Sequence, residues 1–199
     1  MVAAPAEVGV LNLQGDVREH VAALADVGVA SRLVKRVEHL DGIAGLIIPG
    51  GESTTLSMLL SSTGLFDAIS AHIADGLPMF GTCAGLVLLA DEVLDGRPDQ
   101  RSFGALSAVV RRNGYGRQGQ SFESNVDFGE GPPLPVVFIR APMVVSVGSE
   151  VDVLASLFHQ GTTAPVLVRQ GNVLASSFHP ELTGDRRVHR LFAQICSTT

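Results

Sequence analysis

The sequence predicts an α/β fold built on a mostly parallel sheet. Through the first half of the chain, short apolar runs typical of buried strands alternate with segments of helical spacing. The run over residues 43–48 is wholly apolar, as expected of a parallel strand that is covered on both faces. A length of 199 residues with no linker, repeat or low-complexity tract indicates one domain over residues 1–199.

The first half of the chain predicts four strands and four helices. Val17, Val21, Leu24 and Ala25 recur near helical spacing, and Gly28 can end that helix. The predicted strands span residues 7–13, 31–37, 43–48 and 77–80, and the predicted helices span residues 16–27, 53–60, 65–74 and 84–93.

The second half of the chain is rich in strands, which we expect to extend the same sheet and to add an antiparallel layer. Residues 129–135 hold three prolines and two glycines, which indicates a loop. The predicted strands span residues 103–110, 136–139, 151–157, 164–169 and 173–177, and a closing helix spans residues 185–195.

Composition argues against several classes of function. The formal net charge of −6 argues against a protein that binds nucleic acid through a basic face. Of the 14 basic residues only Lys35 is a lysine, and no Gly-Lys-Ser/Thr segment is present. A P-loop phosphate site is therefore excluded. Schiff-base chemistry would have a single candidate amine.

The cysteine content and the apolar runs predict a reduced, cytoplasmic, soluble protein. Cys83 and Cys196 are the only cysteines, too few for a disulfide scaffold. The first 13 residues lack the basic and apolar regions of a secretory signal. The longest apolar runs fall far short of the ~18 residues that span a bilayer, so we expect no membrane association.

A cysteine lies at a predicted strand-to-helix turn. An apolar strand leads into Gly81-Thr82-Cys83-Ala84-Gly85, and an apolar helix follows. This is the nucleophile-elbow pattern, in which small flanking residues permit a sharp turn and the helix N-terminus favours the thiolate. The alternative is a buried structural cysteine beside two packing glycines.

The segment His179-Pro180-Glu181 follows the last predicted strand and could supply a base and its orienting group. In an extended segment, residues two apart point the same way, so Glu181 can hold one ring nitrogen while the other faces Cys83. The alternatives are a surface histidine with an unrelated glutamate, and a zinc site, for which the other expected ligands are missing.

The third candidate element is the turn Pro49-Gly50-Gly51-Glu52-Ser53. Its glycines leave backbone N–H groups open to serve as oxyanion donors, and Ser53 can cap the following helix. The alternative is an ordinary strand-to-helix turn. All three elements follow apolar strands, at the carboxyl edge where α/β sheets place their sites.

These residues resemble the class I, triad-type glutamine amidotransferases, and further motifs resemble the glutaminase subunits of pyridoxal phosphate synthase. The resemblance spans nearly the whole chain; Asn12, Asp16 and residues 129–135 depart from the expected pattern. The motifs are Leu13-Gln14-Gly15, Arg18-Glu19-His20, Gly50-Gly51-Glu52-Ser53-Thr54-Thr55, Arg112-Asn113, Gly116-Arg117-Gln118, Ser121-Phe122-Glu123, Phe138-Ile139-Arg140-Ala141-Pro142 and Ser177-Phe178-His179-Pro180-Glu181-Leu182-Thr183.

The resemblance implies a single flavodoxin-like three-layer domain, with a mixed, mostly parallel sheet, helices on both faces and a small antiparallel extension. It implies hydrolysis of L-glutamine, with Cys83 as nucleophile, His179 as acid/base and Glu181 as its orienter. The oxyanion donors would be the backbone N–H groups of Ala84 and of Gly50 or Gly51. The glutamine-binding residues would be Gly51, Glu52, Ser53, Arg112, Ile139 and Arg140.

The resemblance also implies a synthase subunit that receives the ammonia, and no metal or organic cofactor. Among nearby residues, we expect Arg111 to be a solvated strand residue, His20 a solvated helix end and Cys196 a packed helix residue. Arg186 and Arg187 are expected on a solvated face. Two other functions stay open: a glutaminase for another biosynthetic pathway, and a non-catalytic regulatory module of the same fold.

Overall fold

A computed structural model describes residues 7–115 and 121–198 of the chain. Within that part, five α-helices and twelve strands follow one another, with short 3₁₀ turns at Val37–Leu40 and Pro180–Leu182. The helices are α1 (Val17–Asp26), α2 (Ser53–Ser62), α3 (Leu65–Ala74), α4 (Ala84–Leu89) and α5 (Arg187–Thr198). The strands are β1 (Val8–Leu11), β2 (Ser31–Val34), β3 (Gly45–Ile48), β4 (Met79–Thr82), β5 (Ala90–Leu94), β6 (Leu106–Arg111), β7 (Ser121–Val126), β8 (Leu134–Ile139), β9 (Met143–Val147), β10 (Asp152–His159), β11 (Thr162–Gln170) and β12 (Val173–Ser176).

Seven of these strands form a central sheet in the order β10-β11-β12-β4-β3-β1-β2. The five strands from β12 to β2 run parallel to one another, whereas β11 is antiparallel to both β12 and β10. The prediction of a mostly parallel sheet with an antiparallel extension is confirmed. The carboxyl ends of β12, β4, β3 and β1 meet along one edge, so the loops that follow these strands converge.

The central strands are buried on both faces, and alternate side chains enter different cores. Val10, Ile47 and Phe80 pack with α1 and α5, whereas Leu46 and Ile48 pack with α2, α3 and α4. Strand alternation thus divides one apolar run between two faces. Helices cover both faces, which confirms the predicted three layers. Among the described residues, no helix is long and apolar enough to cross a bilayer.

One predicted helix is wrong in its second half. The helix expected over residues 84–93 ends at Leu89, and β5 follows it without a break. From Ala90 onward the chain pairs with β6, which also pairs with β9 in a separate three-stranded sheet. The apolar run Ala84–Leu89 is buried throughout, so its composition alone did not mark where helix changes to strand.

Two further strands, β7 and β9, are also not predicted by the sequence patterns. Strand β7 pairs with β8 as a two-stranded antiparallel ribbon, and half of its residues are exposed and polar. Strand β9 is short and, among the strands that the structure describes, pairs with β6 alone. The Gly116-Arg117-Gln118 motif lies outside the described residues.

The turn between β4 and α4 is packed so closely that its two glycines cannot carry side chains. A Cβ at Gly81 would lie 2.5 Å from the carbonyl carbon of Gly85, and a Cβ at Gly85 would lie 2.1 Å from the backbone oxygen of Ile48. Both contacts are with backbone atoms, which cannot rotate away. The spacing of the elbow motif therefore follows from a close approach of α4 to the end of β3.

Replacing Gly85 by alanine is expected to destabilise the fold by about 1–3 kcal/mol, the usual cost of overpacking a core. Gly184→Ala is the control, because a Cβ at Gly184 meets nothing within 4 Å. Chemical unfolding of the two variants checks the prediction. Equal free energies of unfolding for both would contradict it.

Candidate active site

Cys83 joins β4 to α4 in a backbone conformation that a residue with a side chain seldom adopts. Its φ is 50° and its ψ is −102°, and its N–H donates to the backbone oxygen of Ser176 at 2.9 Å. Such a conformation costs on the order of 1–3 kcal/mol and persists because the surrounding structure imposes it. Ala84 is the first residue of α4, so its N–H has no acceptor within the helix. The predicted elbow is confirmed in its geometry.

His179 and Glu181 form a buried pair beside Cys83, as their spacing predicts. The His179 Nδ1 atom lies 2.8 Å from Glu181 Oε1, and the two side chains are almost fully buried. The backbone N–H of His179 donates to Val137 at 2.9 Å, which anchors the residue to β8. The other ring nitrogen, Nε2, is buried and has no hydrogen-bond partner among the described residues. One ring nitrogen is thus held, and the other is available for proton transfer.

A second carboxylate, that of Asp16, also faces His179. Asp16 Oδ2 lies 3.3 Å from His179 Nδ1, and Asp16 is half-buried at the start of α1. Burial lowers the pKa of His179, but Asp16, Cys83 and Glu181 together raise it by more, so the pKa lies well above its usual range. Burial alone would raise the pKa of Glu181, but His20 and His179 lower it by more. The pKa of Glu181 therefore lies below its usual range. The geometry favours a charged imidazolium beside an ionised Glu181.

These residues open onto a cavity of about 470 Å³. Nine of the predicted site residues contact it or line its wall, whereas Gly50 lies just beneath His179 and Glu181 lies behind it. The lining includes Gly51, Glu52, Ser53, Cys83, Ala84, Arg112, Ile139, Arg140 and His179. The sequence motifs, which lie up to 128 positions apart (179 − 51), therefore meet in one place.

Glu52 and Arg112 form an ion pair on the cavity wall. Arg112 donates to Glu52 Oε1 at 2.9 Å and to Thr54 Oγ1 at 3.0 Å. Glu52 also accepts from the backbone N–H groups of Thr54 and Thr55, so it is Glu52 that caps α2. The prediction that Ser53 caps this helix is wrong, because Ser53 is already the first helical residue.

Arg111 and Arg112 point in different directions, as strand alternation predicts. Arg111 is exposed, and its Nε lies 3.4 Å from Asp95, away from the cavity. Opposite Arg112, the cavity wall is formed by Ile139 and Arg140. The Cys83 thiol donates a hydrogen bond to the Ile139 carbonyl at 3.8 Å, and Arg140 has a positive φ of 46°. The backbone is therefore strained at two positions that line the cavity, Cys83 and Arg140.

Two expectations about residues near the site are wrong. His20 is fully buried rather than a solvated helix end, because its helix turns Val17, His20 and Leu24 toward the core. Arg186 and Arg187 are half-buried and paired, with Asp26 at 2.9 Å and Asp185 at 2.7 Å respectively. The i, i+3, i+7 spacing of Val17, His20 and Leu24 is the signal that could have placed His20 inside.

Cys196 is half-buried in α5, as predicted of a packed helix residue, and burial raises the pKa of its thiol to about 12.

Two further residues near the triad are not marked by the sequence patterns. His189 on α5 is fully buried, and Asp16 stands out in the sequence only as a departure from a motif. No single-residue signal in the sequence places either of them beside His179.

Comparison with known proteins finds relatives that cover most of the chain. Residues 10–198 match the model of the SNO glutamine amidotransferase family. The chain belongs to this family. A relative from Rhodococcus opacus, named pyridoxal 5'-phosphate synthase subunit PdxT, is 54% identical over 193 residues, which cover 94% of this chain and 96% of the relative. A protein of the same name from Mycobacteroides abscessus is 56% identical over 189 residues, again covering 94% of this chain and 96% of the relative.

Solved structures agree with the family assignment. A crystal structure described as a glutamine amidotransferase superposes with a TM-score of 0.87 at 48% identity, covering 96% of this chain and 98% of that one. The PurLQS structure from Thermotoga maritima contains a chain that is 16% identical with a TM-score of 0.69, covering 96% of this chain and 99% of that one. The second likeness shows the fold alone.

Replacing Asp16 by asparagine removes a charge that faces His179 while nearly conserving side-chain size. Because Asp16 helps to raise the pKa of His179, the imidazolium of the variant should lose its proton at a pH lower by about one unit. An NMR titration of the His179 ring in the full chain measures this midpoint. Glu92→Gln, an exposed change on β5, is the control, and an unchanged midpoint in the Asp16 variant would contradict the assignment.

Proposed function

We propose that this chain hydrolyses L-glutamine to L-glutamate and ammonia, and delivers the ammonia to a synthase subunit that makes pyridoxal 5'-phosphate. The observation that carries the proposal is a strained cysteine on a nucleophile elbow, which opens into the same cavity as a histidine held by a buried glutamate at 2.8 Å. Relatives at 54–56% identity are named as subunits of that synthase, which supports the same pathway for this chain.

In the proposed reaction, the proton of Cys83 resides on His179, and the Cys83 thiolate attacks the side-chain amide carbon of glutamine. Collapse of the tetrahedral intermediate breaks the C–N bond, and the His179 imidazolium protonates the departing amine to give ammonia. His179 then takes a proton from water, and the resulting hydroxide attacks the thioester. Cleavage of the C–S bond releases glutamate and restores the Cys83 thiolate beside the His179 imidazolium. Glu181 keeps the imidazole oriented and stabilises its charged form.

The proposed oxyanion donors are backbone N–H groups, from Ala84 on one side and from Gly50 or Gly51 on the other. Ala84 suits this role because it opens α4 beside Cys83. Gly50 lies so close to His179 that an added Cβ would be 2.3 Å from the ring carbon Cε1. A side chain at position 50 would displace the His179 ring. A glycine there lets the loop after β3 lie against the loop that carries His179, which supports a role for both loops in one site.

The cavity wall fits a free amino acid rather than a neutral amide. Glu52 and Arg112 present opposite charges 2.9 Å apart, and the ammonium and carboxylate of glutamine are similarly close together. We assign Arg112 to the carboxylate and Glu52 to the ammonium, with Gly51, Ser53, Ile139 and Arg140 enclosing the substrate. When glutamine binds, the ion pair between Glu52 and Arg112 is replaced by two: Arg112 with the substrate carboxylate and Glu52 with the substrate ammonium.

This half-reaction needs no metal or organic cofactor in our proposal. Asp16, His179 and Glu181 have potential ligand atoms within 4.8 Å of one another. However, His179 Nδ1 is engaged with Glu181 at 2.8 Å, and a nitrogen that donates its proton to a carboxylate has no lone pair for a metal. Lys35 is the only lysine, so the amine chemistry of ring formation falls to the partner.

We also propose that the protein works in the cytoplasm and that its amidotransferase domain extends over residues 1–199. Both cysteines are free thiols in the described structure. Free thiols persist in reducing compartments such as the cytoplasm, which supports the proposed location.

Replacing Cys83 by alanine should reduce glutamate release at least about a thousandfold, because the proposed nucleophile is lost. The measurement is glutamate formation by the chain together with its purified synthase subunit. Cys196→Ala is the matched control and should keep full activity, since that thiol is packed in α5. Retained activity in the Cys83 variant, with an unchanged melting temperature, would remove Cys83 from the mechanism.

Replacing Arg112 by alanine should raise the KM for glutamine by about tenfold or more, the usual effect of losing a charge-assisted hydrogen bond. Arg111→Ala removes the same side chain one residue away and should leave KM unchanged, since Arg111 faces Asp95. Steady-state kinetics of both variants decide between the two arginines. A larger effect at Arg111 would overturn the assignment.

A further inference from the structure

Two buried histidines lie behind Glu181, on the side away from the cavity. His20 on α1 and His189 on α5 are both fully buried, and His20 Nδ1 lies 3.1 Å from His189 Nε2. Both rings also meet Phe80 edge-on, at centroid distances of 6.2 Å and 5.9 Å, which fixes their planes. The helices α1 and α5 are thus joined by a hydrogen bond between imidazoles.

The second nitrogen of His20 faces the triad. His20 Nε2 lies 3.2 Å from Thr82 Oγ1 and 3.5 Å from Glu181 Oε1, and both partners are buried. Thr82 is the residue immediately before Cys83, and Glu181 Oε1 is the oxygen that binds His179. A single nitrogen of His20 therefore contacts the segments that hold the nucleophile and the acid/base residue.

The hydrogen-bond pattern decides which nitrogen of His20 carries the proton. His189 Nδ1 is buried with no hydrogen-bond partner in the described structure, and a bare nitrogen is tolerated there more easily than an orphaned N–H. Burial lowers the pKa of His189 well below its usual range, so this ring is neutral and its one proton lies on Nε2. His189 Nε2–H then donates to His20 Nδ1, which leaves the proton of a neutral His20 on Nε2.

The position of Glu181 leads independently to the same tautomer. If His20 Nε2 carried no proton, its lone pair would face a buried carboxylate oxygen at 3.5 Å, with nothing between them to offset the repulsion. With the proton on Nε2, the same atom faces two acceptors, Thr82 Oγ1 and Glu181 Oε1. Both ends of His20 are then satisfied.

We propose that His20 is a positioning residue for the glutaminase reaction, whose Nε2–H, directed by His189, holds Glu181 against His179 and fixes Thr82 beneath Cys83. This inference rests on the proposed function and adds a second layer to it. A chain of contacts runs from α5 through His189, His20 and Glu181 to His179. Removing the His20 donor leaves the Glu181 carboxylate free to turn away from His179.

The first test does not depend on glutaminase activity. In the full-length chain labelled with ¹⁵N in histidine, NMR reads which nitrogen of each neutral ring is protonated. We expect a protonated Nε2 and an unprotonated Nδ1 for His20. The opposite tautomer would overturn the proposal, and this result is obtained even if the variants below fail to fold.

The second test separates positioning from simple packing. His20→Leu fills the space without a donor, His20→Gln restores an N–H donor, and His72→Gln is the control on α3. With the synthase subunit present, His20→Leu should lower kcat between about tenfold and a hundredfold with little change in KM, and His20→Gln should recover most of it. The downfield proton resonance of His179 Nδ1–H should shift in the Leu variant and return in the Gln variant.

Unchanged kcat and an unchanged His179 resonance in a folded His20→Leu variant would overturn the proposal. Equal losses in the Leu and Gln variants, with the resonance unmoved, would assign His20 to packing alone. If the unmodified chain with its synthase releases no glutamate, the proposed function fails. The tautomer and the His179 resonance then still decide whether His20 holds Glu181.

Discussion

The conformation of Cys83 is the constraint on which the site depends. A positive φ at a residue with a side chain is unfavourable, and here it occurs where α4 closely approaches the end of β3. Gly81 and Gly85 make that approach possible because no side chain separates the two backbones. The parallel sheet then brings the loops after β1, β3 and β12 to the same edge, so the partners of Cys83 arrive on neighbouring strands.

The charges of the site are distributed between a buried centre and a half-exposed wall. In the centre, Glu181 stays ionised because His179 and His20 face it, although burial alone would favour its neutral form. At the wall, Glu52 and Arg112 satisfy each other beside solvent, where ionic groups cost less to keep. The two settings suit different tasks: the centre holds a proton-transfer chain rigid, and the wall exchanges partners when a ligand enters.

Much of this arrangement could be predicted from local patterns. The glycines around Cys83, the two-residue spacing of His179 and Glu181, and the alternation of Arg111 and Arg112 each follow from the geometry of one element. The end of α4, the strand β7 and the burial of His20 did not follow so directly. The apolar run before Ala90 does not distinguish helix from strand, and β7 is a polar strand in a two-stranded ribbon. His20 is buried partly by α5, whose His189 lies 169 positions away in the sequence. Contacts between distant elements are what a single sequence leaves open.

The packing of Cys196 has a consequence for chemical probes of the molecule. Burial keeps this thiol protonated far into the alkaline range, whereas Cys83 opens into the cavity beside a cationic imidazole. An electrophile that reacts only with thiolates therefore leaves Cys196 unmodified at neutral pH. Any covalent label that such a reagent attaches to the native chain at neutral pH reports on the cavity cysteine, without removal of the second cysteine.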